Sequence, residues 1–392
     1  MKNILSVVAL LISAITFSQT VPDSLYTNPK QQENSAQRIL SGNISSGVTV
    51  GGYGEITYNQ PEGDNGELDV QRLVLLFGYK FNDKVQFVTE VEFEHVNEVF
   101  VEQAFLQYSL TDNLNLRGGL MIVPMGIINE YHEPTTFNGV ERPSMDKSIV
   151  PSTWREIGVG VAGTLDDASL RYQAYVFTGF TSVNGSKLLG GKDGLRSGRQ
   201  KGIQSTVDSP NFSAKLDYYG LPGLRLGLSG YVGRSQAEDD VEELEGSSVG
   251  LTMVGLDARY AYKRFAARGQ FVYSGLSDTE AYNELYYDLE TDPTKGLGSA
   301  MQGWYLEGSY NLLPLTKQQQ LYAFARYEEY DTNASVEGNL LVNDAFNRSE
   351  WTLGLSYKIA PGAVLKGDYQ FKSDAANNSL PNQLNFGIGV WF

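Results

Sequence analysis

The sequence predicts an all-β fold, a transmembrane antiparallel β-barrel of sixteen strands with short turns at one end and long loops at the other. Three observations carry this. Apolar and polar residues alternate with a period of two in sixteen successive segments, most of them 9 to 14 residues long, and a tilted strand of about ten residues crosses an outer membrane. The connections between segments alternate between short and long. Aromatic residues gather at segment ends, in phase with the apolar side.

The N-terminus indicates the compartment. Lys2 supplies a positive start, Ile4 to Phe17 is apolar apart from small and hydroxyl residues, and Ser18 precedes Gln19. This is the layout of a cleavable secretory signal over residues 1–18, and its apolar run is shorter than the roughly 20 residues of a membrane helix. Residues 19–46 are polar, lack periodicity and read as a flexible periplasmic segment, so the barrel is expected over 47–392.

Val85 to His95 is the clearest segment. Val85, Phe87, Thr89, Val91 and Phe93 share one face, and Gln86, Val88, Glu90, Glu92 and Glu94 share the other. One side therefore meets an apolar environment and the other a wet one. The remaining segments lie near 48–58, 68–81, 98–110, 114–123, 156–165, 169–179, 211–219, 224–234, 249–263, 265–275, 301–311, 319–330, 348–358, 363–372 and 383–392.

After even-numbered segments the chain turns tightly, at Asn82-Asp83, Thr111-Asp112-Asn113, Asp166-Asp167, Gly220-Leu221-Pro222-Gly223 and Ala360-Pro361-Gly362. After odd-numbered ones the connections are long: 124–155, 180–210, 235–248, 276–300 and 331–347, with Val96-Asn97 the short exception. An even strand count with this parity places both termini on the short-turn, periplasmic side, and a soluble β-sandwich has no reason to obey it.

Tyr79, Tyr108, Tyr262, Tyr310 and Tyr357 fall at the periplasmic ends of even segments, while Trp304, Trp351 and Tyr273 fall at the opposite ends. Lipid-facing aromatics at two interfaces produce this segregation. The last segment ends on alternating Leu384, Phe386, Ile388, Val390 and Phe392, the form outer-membrane barrels present to their assembly machinery.

Composition excludes other classes. The 42 glycines, 24 tyrosines and 18 phenylalanines suit many strands and turns, and the lack of cysteine removes disulfides and a lipoprotein anchor. Without the signal, 29 basic residues face 46 acidic ones, a net charge of −17 that argues against nucleic acid as a partner. No zinc spacing, calcium loop or phosphate-cradling loop is present, so no cofactor, metal or catalytic residue is expected.

GLMIVPMGIINE at 119–130 and GVERPSMDKSIVPSTWREIGVGV at 139–161 resemble the phosphate-selective porin O/P family. The matching positions are Gly119, Pro124, Gly126, Arg142, Pro143, Pro151, Trp154, Arg155 and Gly158. YQAYVFTG at 172–179, LYAFARYEEYD at 321–331 and LGLSYKIAPGAVLKGDYQ at 353–370 extend the resemblance over most of the barrel. It implies sixteen strands, usually a homotrimer, and a third loop folded inward to narrow the pore. Strongly anion-selective members carry a basic residue before the first proline; here that stretch is Met121-Ile122-Val123, so phosphate specificity does not carry over.

Function is expected from lumen charge. On the wet faces the basic residues are Arg72, Lys80, Arg117, Arg171, Lys215, Arg225, Arg259, Lys263, Arg268, Arg326, Lys358 and Lys366. The acidic ones are Glu55, Glu90, Glu92, Glu94, Asp217, Asp257, Glu307, Glu328 and Asp368, which leaves a wall of +3. The 32-residue connection 124–155 is too long to be idle and is the expected constriction, with Glu130, Glu133, Arg142, Asp146, Lys147 and Arg155 setting opposite charges across an eyelet.

Loop 180–210 is basic (Lys187, Lys192, Arg196, Arg199, Lys201 against Asp193 and Asp208), placed either to gather anions or to pair with an acidic loop. The acidic loop 235–248 carries Glu238, Asp239, Asp240, Glu242, Glu243 and Glu245. It is either solvated or bridged to lipopolysaccharide by divalent cations.

The expectation is an outer-membrane porin passing small hydrophilic solutes and ions by diffusion, with weak anion preference, set in outer-membrane lipid and lipopolysaccharide. An accessory barrel of a larger outer-membrane complex is the alternative. Glu98 and Glu102 in the lipid-facing phase at the outer rim suggest a subunit interface, of a homotrimer or of a complex with other outer-membrane proteins, unless a bulge redirects them. An outer-membrane hydrolase is the weakest reading, because His95 and His132 are the only imidazoles and no nucleophile motif accompanies them.

Overall fold

A computed structural model describes residues 33–42, 46–237 and 245–392. The sixteen segments form sixteen antiparallel strands: β1 (Gly47–Pro61), β2 (Glu67–Lys80), β3 (Val85–Glu94), β4 (Glu98–Thr111), β5 (Leu114–Ile122), β6 (Arg155–Leu165), β7 (Leu170–Phe177), β8 (Asn211–Leu221), β9 (Leu224–Arg234), β10 (Gly250–Tyr262), β11 (Phe265–Ser277), β12 (Ala300–Asn311), β13 (Gln320–Ser335), β14 (Asn347–Ala360), β15 (Ala363–Asp374) and β16 (Gln383–Trp391). Each pairs with its sequence neighbours. β1 closes the barrel against β16, from Tyr53 opposite Trp391 to Pro61 opposite Gln383, so no sheet edge is left open.

The strands are inside out relative to a soluble core. Along β14, Trp351, Leu353, Leu355 and Tyr357 are exposed, while Glu350, Thr352 and Ser356 are buried. Because the strand period is two, this alternation places the apolar side chains of β14 in the hydrocarbon and the polar ones in the lumen. Tyr79, Tyr108, Tyr310 and Tyr357 are exposed at the short-turn end, and Trp304, Trp351 and Tyr273 toward the other. Two aromatic belts result.

Strand β4 departs from the simple phase. Glu90 lies opposite Gln103 but Val91 lies opposite Val101, so one residue is extra. The bulge turns Glu102 into the lumen, where it is fully buried. Of the two glutamates expected on the lipid side, only Glu98 remains outside. The acidic interface inferred from the pair is thereby removed.

Within 19–46, expected to lack regular structure, Ser35–Leu40 form helix α1, capped by Asn34 accepting from Gln37 N and by Gln37 reaching back to Asn34 N. It lies against the wall inside the barrel, with Ile39 beside Gly78 and Arg38 4.9 Å from the Trp391 ring. The signal over 1–18 and the acidic residues Glu238 to Glu243 lie outside the described residues.

At the long-loop end, a small sheet of Thr181–Asn184, Lys187–Leu188 and Gln236–Ala237 packs beside a loop helix, Thr279–Tyr286. The Tyr282 hydroxyl donates to Ser182 O at 2.7 Å and accepts from Leu189 N at 3.0 Å, which ties the two together.

Candidate functional site

The connection between β5 and β6 folds into the barrel. From 123 to 155 only Lys147 has an exposed side chain. Two kinds of contact hold the segment there. Val123, Met125, Ile127, Ile128, Met145, Ile149, Val150 and Trp154 are buried to within a few percent and form an apolar core inside a polar lumen. Trp154 anchors it, stacked on Phe180 at 4.6 Å and against Tyr231 at 4.7 Å, with its indole N–H donated to Glu156 at 2.7 Å.

The second kind is polar, and it uses the wall charges. Lys215 Nζ reaches Gly126 O at 2.6 Å, Glu130 at 2.7 Å and Asp257 at 3.2 Å. Gln270 accepts from Ile127 N at 2.5 Å and donates to Asp146 at 2.7 Å. Burial nevertheless pushes the Asp146 carboxyl up to about 7. Asn138 donates to Glu307 at 2.9 Å, Val140 N to Asp368 at 2.6 Å and Met145 N to Glu328 at 3.1 Å. Gly126, at φ 68, sits where the loop passes the Gln270 amide, and a Cβ there would lie within 2.8 Å of it. Replacing Lys215 by methionine strands Glu130 and Asp257 without their cation. The expected cost is about 3–5 kcal/mol, read as a lower denaturant midpoint of the detergent-solubilised barrel. An unchanged midpoint means the tether is dispensable.

The loop divides the lumen into two vestibules. The one on the short-turn side has a volume of about 460 Å³ and the one on the long-loop side about 340 Å³. Among the described residues, Phe137 alone borders both. Lys366 Nζ lies 3.7 Å from its ring centroid.

The expected pore residues divide accordingly. Arg259 and Arg268 border the inner vestibule, Arg72 and Glu92 the outer. Arg72 bridges Glu55 at 2.7 Å and Glu92 at 3.5 Å, and Arg268 pairs with Glu307 at 2.9 Å. Arg117 and Arg171 face a narrow cleft behind α1 and bond Tyr175 and Tyr131. Glu90, Arg225, Arg326 and Lys366 border neither vestibule. Arg225 and Arg326 are committed to Asp217 at 2.9 Å and to Glu328 at 3.5 Å.

Of the loop residues, Glu130, Glu133 and Asp146 are consumed in holding the fold, and Arg155 begins β6 beneath Phe100. Arg142 and Lys147 reach the outer vestibule. Arg196 and Arg199 of the basic loop donate to Ser152 O at 2.9 and 2.8 Å, which lays that loop on the inward-folded segment.

The wall surplus of +3 is not retained. Lys263 is an exposed turn residue at φ 53, and Glu102, Glu156 and Glu350 join the wall as buried carboxylates. Glu350 was legible from phase alone. Glu102 required the bulge, and Glu156 sits at a strand start where phase is undefined. Phe137 carried no signal, since one aromatic in a long loop is unremarkable until the loop folds inward.

The family model of phosphate-selective porin O and P matches residues 43–362. The chain belongs to this family. An uncharacterized protein of Aquifex aeolicus (strain VF5) is 34% identical to this porin over 340 residues, which cover 83% of the chain and 76% of that protein. Among solved structures, the outer membrane channel DcaP of Acinetobacter baumannii superposes with a TM-score of 0.58 at 13% identity, covering 90% of this chain and 99% of that one. OmpT of Vibrio cholerae in a trimer form gives 0.57 at 12%, covering 89% and 100%. Salmonella typhi OmpF in complex with daunomycin gives 0.57 at 11%, covering 88% and 97%. At these identities the structures share the fold. With the family match, they make this porin an outer-membrane channel for small solutes.

Proposed function

We propose that this porin passes small hydrophilic solutes with a weak anion preference set by the vestibules and not by the wall census. One observation carries the reading. Arg72, Arg142, Lys147, Arg196 and Lys372 border the outer vestibule against four carboxylates, and Arg38, Arg259, Arg268 and Lys358 border the inner one against two. Among the described residues, Arg142, Lys147 and Arg196 have no carboxylate within ion-pair distance, so their fields act on passing ions in a low-dielectric passage. The reversal potential of planar-bilayer currents in a KCl gradient tests this. Wild type should favour chloride modestly, and a triple variant R142Q/K147Q/R196Q should shift toward potassium. Clear potassium preference of the wild type overturns the proposal.

Homotrimeric assembly within outer-membrane lipid and lipopolysaccharide is the accompanying proposal, supported by the family and by the trimer form of the Vibrio cholerae relative. A role as channel and not hydrolase is supported by the histidines. The imidazole of His95 stands exposed at the β3–β4 turn. Partial burial disfavours its charged form, but Asp69 at 2.6 Å outweighs this and raises its pKa. His132 bonds Asn129 O and Tyr53 Oη, and neither ring is bonded to a serine.

A further inference from the structure

Where helix α1, the constriction loop and strands β3 and β4 converge, Glu90, Glu102 and His132 bring their ligating atoms within 4.8 Å of one another, all buried. We propose that these three side chains form a binding site for a divalent transition-metal cation, with Zn²⁺ the fitting species, that clamps the constriction loop to the barrel wall. The donor set of two carboxylates and one imidazole, from three separate elements, is that of a borderline cation; a harder ion such as Mg²⁺ takes oxygen alone.

The hydrogen-bond pattern leaves donor atoms free for a metal. His132 Nδ1 lies 3.0 Å from Asn129 O, a carbonyl that can only accept, so Nδ1 carries a proton, and a metal that displaces the proton of Nε2, 3.5 Å from Glu102, takes up that nitrogen's lone pair. A backbone carbonyl fixing the distal nitrogen in this way is the usual support of a metal-bound histidine. Tyr53 Oη is 3.0 Å from Nε2 but gives its proton to Glu102 Oε2 at 3.1 Å, so it does not satisfy that lone pair. Glu90 Oε2 and Glu102 Oε1 are buried without a hydrogen-bond partner. Glu90 Oε1 accepts from Ser35 Oγ, which brings the helix to the cluster's edge.

Two buried carboxylates facing each other with unfilled lone pairs are costly unless a cation joins them. Arg72, the cation on the neighbouring strand, is taken by Glu55 and Glu92. Motif spacing is silent here because the ligands lie at 90, 102 and 132 on different elements and Glu102 reaches the site only through the bulge.

The test uses the full barrel in detergent, stripped with EDTA and titrated with ZnCl₂ alone. The expected result is one Zn²⁺ per chain by calorimetry and elemental analysis. Affinity should fall on the order of 100-fold or more in E102Q and in H132Q. E98Q, exposed on the same strand, should bind as wild type. Retention of the heat-modifiable gel band shows each variant is folded. If neither variant folds, the absorption of Co²⁺ in the unmodified barrel decides: intense d–d bands of a low-coordinate site support the proposal. A spectrum of the aquo ion, no stoichiometric Zn²⁺ in the folded wild type, or undiminished binding in folded E102Q and H132Q overturns it in favour of a His132–Glu102 ion pair.

Discussion

Replacing Phe137 by alanine should raise single-channel conductance several-fold. Phe137 is the one described residue that borders both vestibules, about 460 and 340 Å³, and a bulky ring between two cavities in series is expected to limit the current through them. The ring is held in place by Lys366, whose Nζ stands 3.7 Å from its centroid. That contact contributes about 0.5–2 kcal/mol, too little to collapse the loop when lost, because Glu130, Asp146 and Val140 tether it on either side. The variant therefore opens the passage without dismantling it. Planar-bilayer recordings read the outcome directly. Wild-type conductance from a folded F137A barrel would show that ions take a route avoiding Phe137.

Replacing Trp154 by alanine should cost about 3–5 kcal/mol of barrel stability, the penalty for emptying a large buried aromatic site. Trp154 is fully buried between Phe180 and Tyr231, and its N–H satisfies Glu156. Its removal leaves Glu156 with Tyr231 and Gly179 N as donors and withdraws the anchor of the loop's apolar core. Trp304 and Trp351 provide the contrast, since both face lipid and lose only partial burial on truncation. The denaturant midpoints of the three variants should separate accordingly. A Trp154→Ala midpoint no lower than that of Trp351→Ala would mean the loop core adds nothing to the fold.

Legibility tracked the physics of each element. The strand positions could be read because hydrocarbon and water lie on opposite faces of every strand, which imprints a period of two on residues such as Val85 to Glu94. The parity of turns and loops was readable for the same reason: only one end of the barrel bears long loops. Glu102 was misplaced because a single inserted residue reverses phase without altering composition. Pore charge was misjudged because counting wet-face residues cannot tell a side chain that faces the passage, such as Lys358, from one spent on a partner, such as Arg326. Helix α1 escaped notice because six residues show too little periodicity, although the Asn34 to Gln37 capping pair was present.

By itself, then, the sequence determined the outer-membrane barrel, its sixteen strands, the alternation of short turns with long loops and the long connection 124–155. All of these follow from local alternation and segment length. Only the tertiary structure decided which wall charges are paired, that Phe137 borders both vestibules, and that Glu90, Glu102 and His132 converge. These depend on a loop crossing the barrel to meet strands far away in the chain, and no local pattern records that path.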